Sequence, residues 1–482
     1  MEVSMSAETD VVVLGVGTCG EDLSLQLLDA GLDVVGIEAA LVGGECPYWA
    51  CLPTKRMLRA ANLVADVARA RGVAGPVEAA PDWGVLAGQV RAEVTGDRDD
   101  AMGVERFTNR GGTLVKGRGR LTGPRTVAVG DAEFTARRGI VIATGSGPFI
   151  PPVPGLDGVP FWTTHDLVAT DVLPRSVTVL GGGAVGCELG QLMARFGARV
   201  TIIERAPGLL PGGEPEASAV LEDALAADGI DVRTGVAAVA VRADGDAAVV
   251  ELDDGAGVTS ERVLVATGRS VALGDLGLET AGIDPGSRFL EVDDHMRVAD
   301  AIWAMGDVTG KGMFTHVALR QAATVAAGIL GRPVTPVTYD AIPRVTFTDP
   351  EVASVGLTEA EAAAAGGSVV TALKRVPSTF RGWLHAVGNS GLIKLVADRD
   401  EGVLVGATVV GPSAGEVLGV LGLAVHARVR MDVLRDMTYA FPTFYGGIGE
   451  AIGAYGRGVT TVLDPGYDGL AGLDEVGAGA AP

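Results

Sequence analysis

A stretch of chain grammar written twice constrains this sequence more than any other feature. Asp10-Val11-Val12-Val13-Leu14 is a short apolar run that leads directly into Gly15-Val16-Gly17-Thr18-Cys19-Gly20. An amphipathic stretch to Ala30 follows, then a second run over 32–37 that ends on Glu38. The same order returns at Ser176-Val177-Thr178-Val179-Leu180 and Gly181-Gly182-Gly183-Ala184-Val185-Gly186, with a helical stretch to about Phe196 and a run over 199–203 ending on Glu204. Unbroken apolar runs of this length read as parallel strands buried on both faces. In such a unit the first glycine makes the tight turn, the second lets backbone N–H groups approach a pyrophosphate, and the third lets the helix pack closely on its strand. An acidic residue about 20 positions on is placed for a ribose hydroxyl. One such loop in a chain with 71 glycines carries little weight. Two of them, each between strand and helix and each followed by its carboxylate, predict two dinucleotide-binding units. Each unit then closes on an apolar strand into Ala-Thr-Gly, at 140–145 and at 263–268.

The remaining organisation follows from length and pattern. At 482 residues, 48% hydrophobic and 20% charged, the chain reads as globular with about three domains. A net charge of −22 disfavours a nucleic-acid or anionic-membrane partner, because a phosphate field repels most of such a surface. The first ten residues have no basic stretch or apolar core, and no apolar run reaches about 18 residues, so the expectation is a cytoplasmic protein without a membrane span. Residues 302–305 lead into Gly306-Asp307 and read as a strand returning to the first sheet, its aspartate at the carboxyl edge where ligands gather. From about 341, strands at 392–396 and 404–410 with two Ala/Leu-rich helices predict an α+β domain. The Gly-, Ala- and Pro-rich end reads as a flexible tail.

Chemistry concentrates just after the first unit, in Gly43-Gly44-Glu45-Cys46-Pro47-Tyr48-Trp49-Ala50-Cys51-Leu52-Pro53-Thr54-Lys55. Cysteines five positions apart can lie about one and a half helical turns apart, within disulfide reach if the first turn is distorted. A helix N-terminus at this point is expected to lower thiol pKa values. Zinc is disfavoured, since the spacing is wrong and no second Cys or His cluster follows. The bland alternative is a buried, inert pair. Cys19 and Cys187, inside the glycine-loop helices, read as packing residues.

Taken together, the chain resembles the pyridine nucleotide–disulfide oxidoreductases, the group of dihydrolipoamide dehydrogenase, glutathione reductase and mercuric reductase. The resemblance covers about residues 10–455. It rests on the two glycine loops, the GGxCxxxxCxPTK segment, Gly306-Asp307 and the stretch Thr348-Asp349-Pro350-Glu351-Val352-Ala353-Ser354-Val355-Gly356-Leu357-Thr358. It implies an α/β fold with FAD- and NAD(P)-binding Rossmann-like domains and a C-terminal α+β dimerisation domain, in a homodimer. The expected boundaries are 1–150 for the first FAD part, 151–272 for NAD(P), 273–340 for the second FAD part, 341–460 for dimerisation and 461–482 for the tail. By the same resemblance, Gly15, Gly17 and Gly20 take the FAD pyrophosphate, Glu38 its ribose and Asp307, beside Gly306, its ribitol. Gly44, Gly119, Thr144, Gly145, Thr315 and His316 border the flavin, and Lys55 meets Glu188 near it. NAD(P)H lies across Gly181, Gly183 and Gly186, with Gly268 and Arg269 nearby. Glu204 favours NADH over NADPH because it repels a 2′-phosphate, although the adjacent Arg205 keeps NADPH open. Cys51 becomes the flavin-side thiolate and Cys46 the outer, exchanging thiol of a redox-active disulfide.

The chain departs from that family at one place. Its disulfide reductases end in His-Pro-Thr-x-x-Glu, an acid/base dyad for the outer thiol; here the matching stretch is Tyr439-Ala440-Phe441-Pro442-Thr443-Phe444-Tyr445-Gly446. Phe441 stands for the histidine and Gly446 for the glutamate, and phenyl carries no proton. In having Phe there, and an alanine before the second cysteine, the chain is similar to 2-ketopropyl coenzyme M oxidoreductase/carboxylase, whose second position is a histidine rather than Gly446. Tyr445 and Tyr439 are substitute proton donors by position, or packing residues. His165, His295, His385 and His426 read as surface or packing residues, and Glu450 as a solvated helix residue. The leading expectation is electron flow from NAD(P)H through FAD and the cysteine pair to a small acceptor, a disulfide, a thioether-linked ketone or another electrophile. The alternatives are a quinone reductase using flavin alone, and a non-catalytic dimer.

Overall fold

The computed structural model describes residues 6–455, so the expected tail over 461–482 lies outside the described residues. Five parallel strands form the heart of the first unit. Strand β1 (Ser6–Leu14) feeds helix α1 (Thr18–Asp29), which returns to β2 (Val34–Glu38). A short helix, α2 (Glu45–Tyr48), and the long α3 (Cys51–Ala70) follow, then β3 (Thr113–Lys116) and β4 (Ala132–Ile142). Val11, Val12 and Val13 are fully buried, as a strand covered on both faces requires.

The chain then leaves this sheet to build a second one. Strand β5 (Phe161–Trp162) and helix α4 (Thr164–Ala169) precede β6 (Ser176–Leu180), α5 (Ala184–Arg195) and β7 (Arg199–Glu204). Strands β8 (Asp231–Thr234) and β9 (Arg262–Val265) complete a parallel sheet in the order β8-β7-β6-β9-β5. An antiparallel three-stranded sheet, 238–260, lies against it. Strand β10 (Ile302–Ala304) then returns to pair in parallel with β4, so the first sheet runs β10-β4-β1-β2-β3, extended by shorter strands to eight. Helix α6 (Thr315–Ile329) leads from it towards the last domain.

In both sheets the chain order reverses beside the strand that carries the glycine loop. Such a switch point opens a crevice beyond the carboxyl ends of the strands, where ligands bind in doubly wound sheets. The C-terminal domain is an antiparallel sheet, β11 (Arg344–Thr346), β12 (Glu351–Gly356), β13 (Val369–Arg375), β14 (Leu392–Asp398) and β15 (Val403–Gly411), in the order β11-β12-β15-β14-β13. Helix α7 (Ala414–His426) packs on it through Val417, Leu418 and Leu421. The two nucleotide-type units share a core, in which Met57 and Leu58 of α3 pack with Leu189, Leu192 and Met193 of α5. That shared core sets the cysteines of one unit against the helix of the other.

Candidate active site

The two glycine loops superimpose in their steric logic. Gly15 has φ +90° and Gly181 φ +108°, and a Cβ on either would come within 2.4 Å of the carbonyl oxygen of Ala143 or Ala266. A Cβ on Gly20 would stand 2.0 Å from Gly15 O, and one on Gly186 1.9 Å from Gly181 O, so no larger residue lets the helix start so close to its strand. Neither α1 nor α5 has a side-chain cap. Their first turns are therefore open at the N-cap, the arrangement that receives an anionic phosphate. A Cβ built on Gly183 or Gly145 meets nothing within 4 Å, so these positions face open space. Buried Glu38 accepts from Val16 N at 2.7 Å and Ala40 N at 2.8 Å. Glu204 repeats the pattern with Gly182 N and Ala206 N, both at 2.7 Å. Uncapped helices, open glycine cradles and a carboxylate locked beside each loop fit one dinucleotide per unit.

The other cofactor-site candidates gather along the same edge. Gly119 closes on Leu14 and Ile37 so tightly that a Cβ would lie 2.6 Å from Leu14 Cδ2. Thr144 and Gly145 follow β4. Asp307 accepts from Ser146 Oγ at 2.5 Å, and Arg269, just past Gly268, donates to Ser146 Oγ at 2.7 Å and stands 3.6 Å from Asp307. Gly306 N donates to buried Gln321 at 2.7 Å. His316 Nε2 stands 3.1 Å from Pro343 O, and burial lowers its pKa.

Cys46 lies in α2, and Cys51 is the first residue of α3; both are free thiols. The expectation that a helix start lowers both thiol pKa values fails for Cys46, and at Cys51 the lowering comes mainly from neighbouring side chains. The hydrogen bond from Cys46 holds the Cys51 thiol down at about 6, with further help from the Thr315 hydroxyl and the Lys55 ammonium against the opposing effect of burial. Cys46 is pushed up instead, because it is the donor in that bond and is partly buried. Thr315 Oγ1 stands 3.5 Å from Cys51 Sγ. Lys55 Nζ bonds Glu188 at 2.7 Å, and Glu188, buried at 3% exposure, also accepts from Phe347 N at 2.8 Å. Cys187 is buried and Cys19 partly so, and desolvation raises both thiol pKa values, Cys19 to about 12. Such thiols are inert.

The C-terminal stretch is arranged differently. Phe441 is 73% exposed, edge-on to Phe380 at 5.1 Å. Tyr445 accepts from Ala440 N at 3.0 Å, and Tyr439 donates to Leu434 O at 2.9 Å while burial raises its pKa to about 12. Both rings pack against the domain core, which is the packing alternative. Glu450 is not simply solvated, since its carboxylate lies 3.5 Å from Lys374 and accepts from Phe380 N at 3.4 Å. Among the described residues no cluster of three or more His, Cys, Asp or Glu is suited to a metal, and no helix is long and apolar enough to cross a membrane.

Two stretches of the chain match one family of enzymes. The pyridine nucleotide-disulphide oxidoreductase family matches residues 9–322, and its dimerisation domain matches 342–452. The chain belongs to this family. Members use FAD and NAD(P)H. The chain is 34% identical to a dihydrolipoyl dehydrogenase of Thermus scotoductus, over 94% of this chain and 99% of the relative. It is also 34% identical to a mercuric reductase of Streptomyces lividans, over 90% and 93%. Among solved structures it is similar to LpdA from Mycobacterium tuberculosis, with a TM-score of 0.82 at 26% identity, covering 93% of this chain and 99% of that one. The HOCl-induced flavoprotein disulfide reductase RclA of Escherichia coli gives a TM-score of 0.81 at 25% identity, over 92% and 99%. As a family member the chain is an oxidoreductase with FAD- and NAD(P)H-type units and a dimerisation domain.

Sequence reasoning passed over four residues that meet at the cysteines. His165 Nε2 lies 2.9 and 3.0 Å from the Glu45 carboxylate oxygens, and its ring stacks on Trp49 at 4.5 Å. The Arg98 guanidinium lies over the same indole at 4.4 Å. A carboxylate directly before the first cysteine was the one visible signal. His165 had none.

Proposed function

We propose that this chain, as a homodimer, passes two electrons from NADH to a small acceptor through a redox-active Cys46–Cys51 pair, without an imidazole–carboxylate dyad at its C-terminal motif. One observation carries the reading: Cys51 opens helix α3 with Thr315 Oγ1 3.5 Å from its sulfur and, one helical turn on, a lysine fixed at 2.7 Å on a buried glutamate, surroundings that lower its thiol pKa. FAD, when bound, supplies the relay between the two-electron chemistry of the nicotinamide and that of sulfur.

The chain's own groups do the rest. Glu188 fixes the Lys55 side chain one helical turn from Cys51, and Phe347 N–H fixes Glu188 in turn. Cys46 holds the proton between the two sulfurs. Reduction of a disulfide acceptor proceeds by Cys46 passing its proton to the Cys51 thiolate and bonding one acceptor sulfur, while the other acceptor sulfur leaves as a thiolate. Cys51 then bonds Cys46, its proton passing to the second acceptor sulfur, which leaves as a thiol, and the pair is closed as a disulfide. With Phe441 in the acid/base position the leaving thiolate takes its proton from solvent, so acceptors with low-pKa leaving groups are favoured. Glu204, already bonded to two backbone N–H groups, gives a 2′-phosphate no room, which favours NADH. A thioether-linked ketone or similar electrophile remains within this chemistry. A second reading, flavin-only reduction of quinones, draws on the exposed Phe441–Phe380 pair as a surface for a planar apolar acceptor.

The test is anaerobic reduction by NADH of the wild type and of Cys46→Ser, followed by acceptor turnover. The proposal expects a long-wavelength thiolate–flavin absorption after two electrons and loss of turnover in Cys46→Ser. Full retention of turnover in that variant moves the assignment to quinone reduction.

A further inference from the structure

A four-residue helix cannot hold itself in place, because its nucleus fixes several dihedrals for a single hydrogen bond. The helix α2 that carries Cys46 is such a piece. It is entered through Gly43 and Gly44 at φ +100° and +70°, and left through Ala50 at φ −125°, ψ −95°. What fixes it lies outside its own backbone. At one end the Glu45 carboxylate can only accept, so His165 Nε2 carries the hydrogen at 2.9 and 3.0 Å, and the Arg269 guanidinium stands 3.7 Å away. At the other end Trp49 stacks on the same imidazole at 4.5 Å and an 18° interplanar angle. Arg98, over that indole, also donates to Val168 O at 3.4 Å, three residues along α4 from His165.

The origin of these ties matters more than their number. His165 belongs to α4, directly after β5, the edge strand of the second sheet, and Arg269 follows β9, the strand beside it. Both ends of the segment bearing Cys46 are thus fastened to the second unit, although the segment itself grows out of the first. Arg269 in turn reaches Ser146 and Asp307 of the first sheet's edge.

We propose that His165 is a positioning residue which, through Glu45 and Trp49, fixes Cys46 against Cys51 and makes the geometry of the thiol pair depend on how the second unit is seated. This rests on the reading of Cys46 and Cys51 as the redox pair. The test uses the purified flavoprotein with both thiols reduced, in four forms: wild type, Glu45→Ala, Glu45→Gln and His165→Phe. His165→Phe keeps a ring on Trp49 but loses the hydrogen bond, and Glu45→Gln keeps an acceptor for it. Two readouts are taken, the midpoint of the pH profile of iodoacetamide labelling at Cys51, resolved by peptide mass spectrometry, and the long-wavelength thiolate–flavin absorption.

The expected result is a midpoint raised by about one unit in Glu45→Ala and His165→Phe, with the absorption falling at least twofold. In Glu45→Gln the midpoint stays within a few tenths of a unit of wild type. Unchanged midpoints in Glu45→Ala and His165→Phe overturn the proposal, and so does equal damage in Glu45→Gln and Glu45→Ala, which would assign the effect to charge rather than to the tie. Trp49→Phe, which removes the indole while leaving Glu45 and His165 intact, supplies the third variant if His165→Phe does not fold, with a raised midpoint expected there too and an unchanged one counting against the proposal. A wild type that shows no thiolate–flavin absorption sinks the underlying redox reading instead, so the two failures are distinct.

Discussion

Replacing Cys46 by alanine tests the electrostatics of the thiol pair most directly. The hydrogen bond from Cys46 is the largest influence lowering the Cys51 pKa, ahead of Thr315 and Lys55, and burial of Cys51 works the other way. At a pKa of about 6, Cys51 is about 90% thiolate at pH 7, whereas an ordinary thiol near 8.5 is about 3%. Without the Cys46 donor the burial penalty stands against a weaker opposition, and the pKa is expected to climb to about 8. Thiolate at pH 7 then drops roughly tenfold. The rate of alkylation is a poor gauge, because a thiolate loses nucleophilicity as its pKa falls, with a slope of about 0.4–0.5. The midpoint is the sound one: labelling rises with pH through the folded-state pKa and levels off above it. Iodoacetamide labelling of Cys51 is followed from pH 4.5 to 9.5 in wild type, Cys46→Ala and Cys46→Ser. The expected midpoints are about 6, about 8 and between the two, since serine retains a donor. A Cys46→Ala midpoint still near 6 refutes the reasoning, as does a wild type in which Cys46 rather than Cys51 titrates low.

Three further outcomes follow from the packing. Gly186→Ala puts a methyl 1.9 Å from Gly181 O, so NADH binding by fluorescence titration is expected to fall at least tenfold while bound flavin, set by the other loop, stays constant. Lys394, 3% exposed, bonds Glu214, Glu216 and Glu359 at 2.8 Å each; burial works against its charge, yet the three carboxylates raise its pKa. Lys394→Met strands buried Glu214 and is expected to cost about 3 kcal/mol in urea unfolding, more than Glu359→Gln, whose carboxylate is half-exposed. Phe441→His combined with Gly446→Glu is expected to raise lipoamide reduction by about 10²-fold, though a Cβ at 446 sits 3.1 Å from Ala440 O and the loop must give slightly. No gain in a stopped-flow assay would mean that the acceptor pocket itself has been rebuilt.

The doubled nucleotide-binding architecture was legible because each of its parts is local. A buried parallel strand needs a short apolar run, and the loop needs glycines at fixed spacing; the strand at Ser176–Leu180 falls where the apolar run lies. Boundaries drifted where local rules are weak. The first strand begins at Ser6, ahead of its apolar run, since backbone pairing with β4 extends beyond the buried residues. The return of Ile302–Ala304 to the first sheet was also readable, from an aspartate placed just past a short apolar run.

The proposal for Cys46 and Cys51, and for a phenyl ring at 441 that carries no proton, came from the sequence, because residue type alone determines whether a group can carry a proton or two electrons. Which thiol is the anion was a different matter. Helix-start reasoning treats both sulfurs alike, whereas in the folded chain their surroundings differ and shift the Cys51 thiol down and the Cys46 thiol up. The same holds for Glu188, for His165 on Glu45 and for Arg98 on Trp49, partners separated by tens to more than a hundred residues. Such pairs have no spacing rule, because their meeting is decided by how one unit packs against another. The sequence carries the chemistry of each group, and tertiary packing sets the distance at which that chemistry acts.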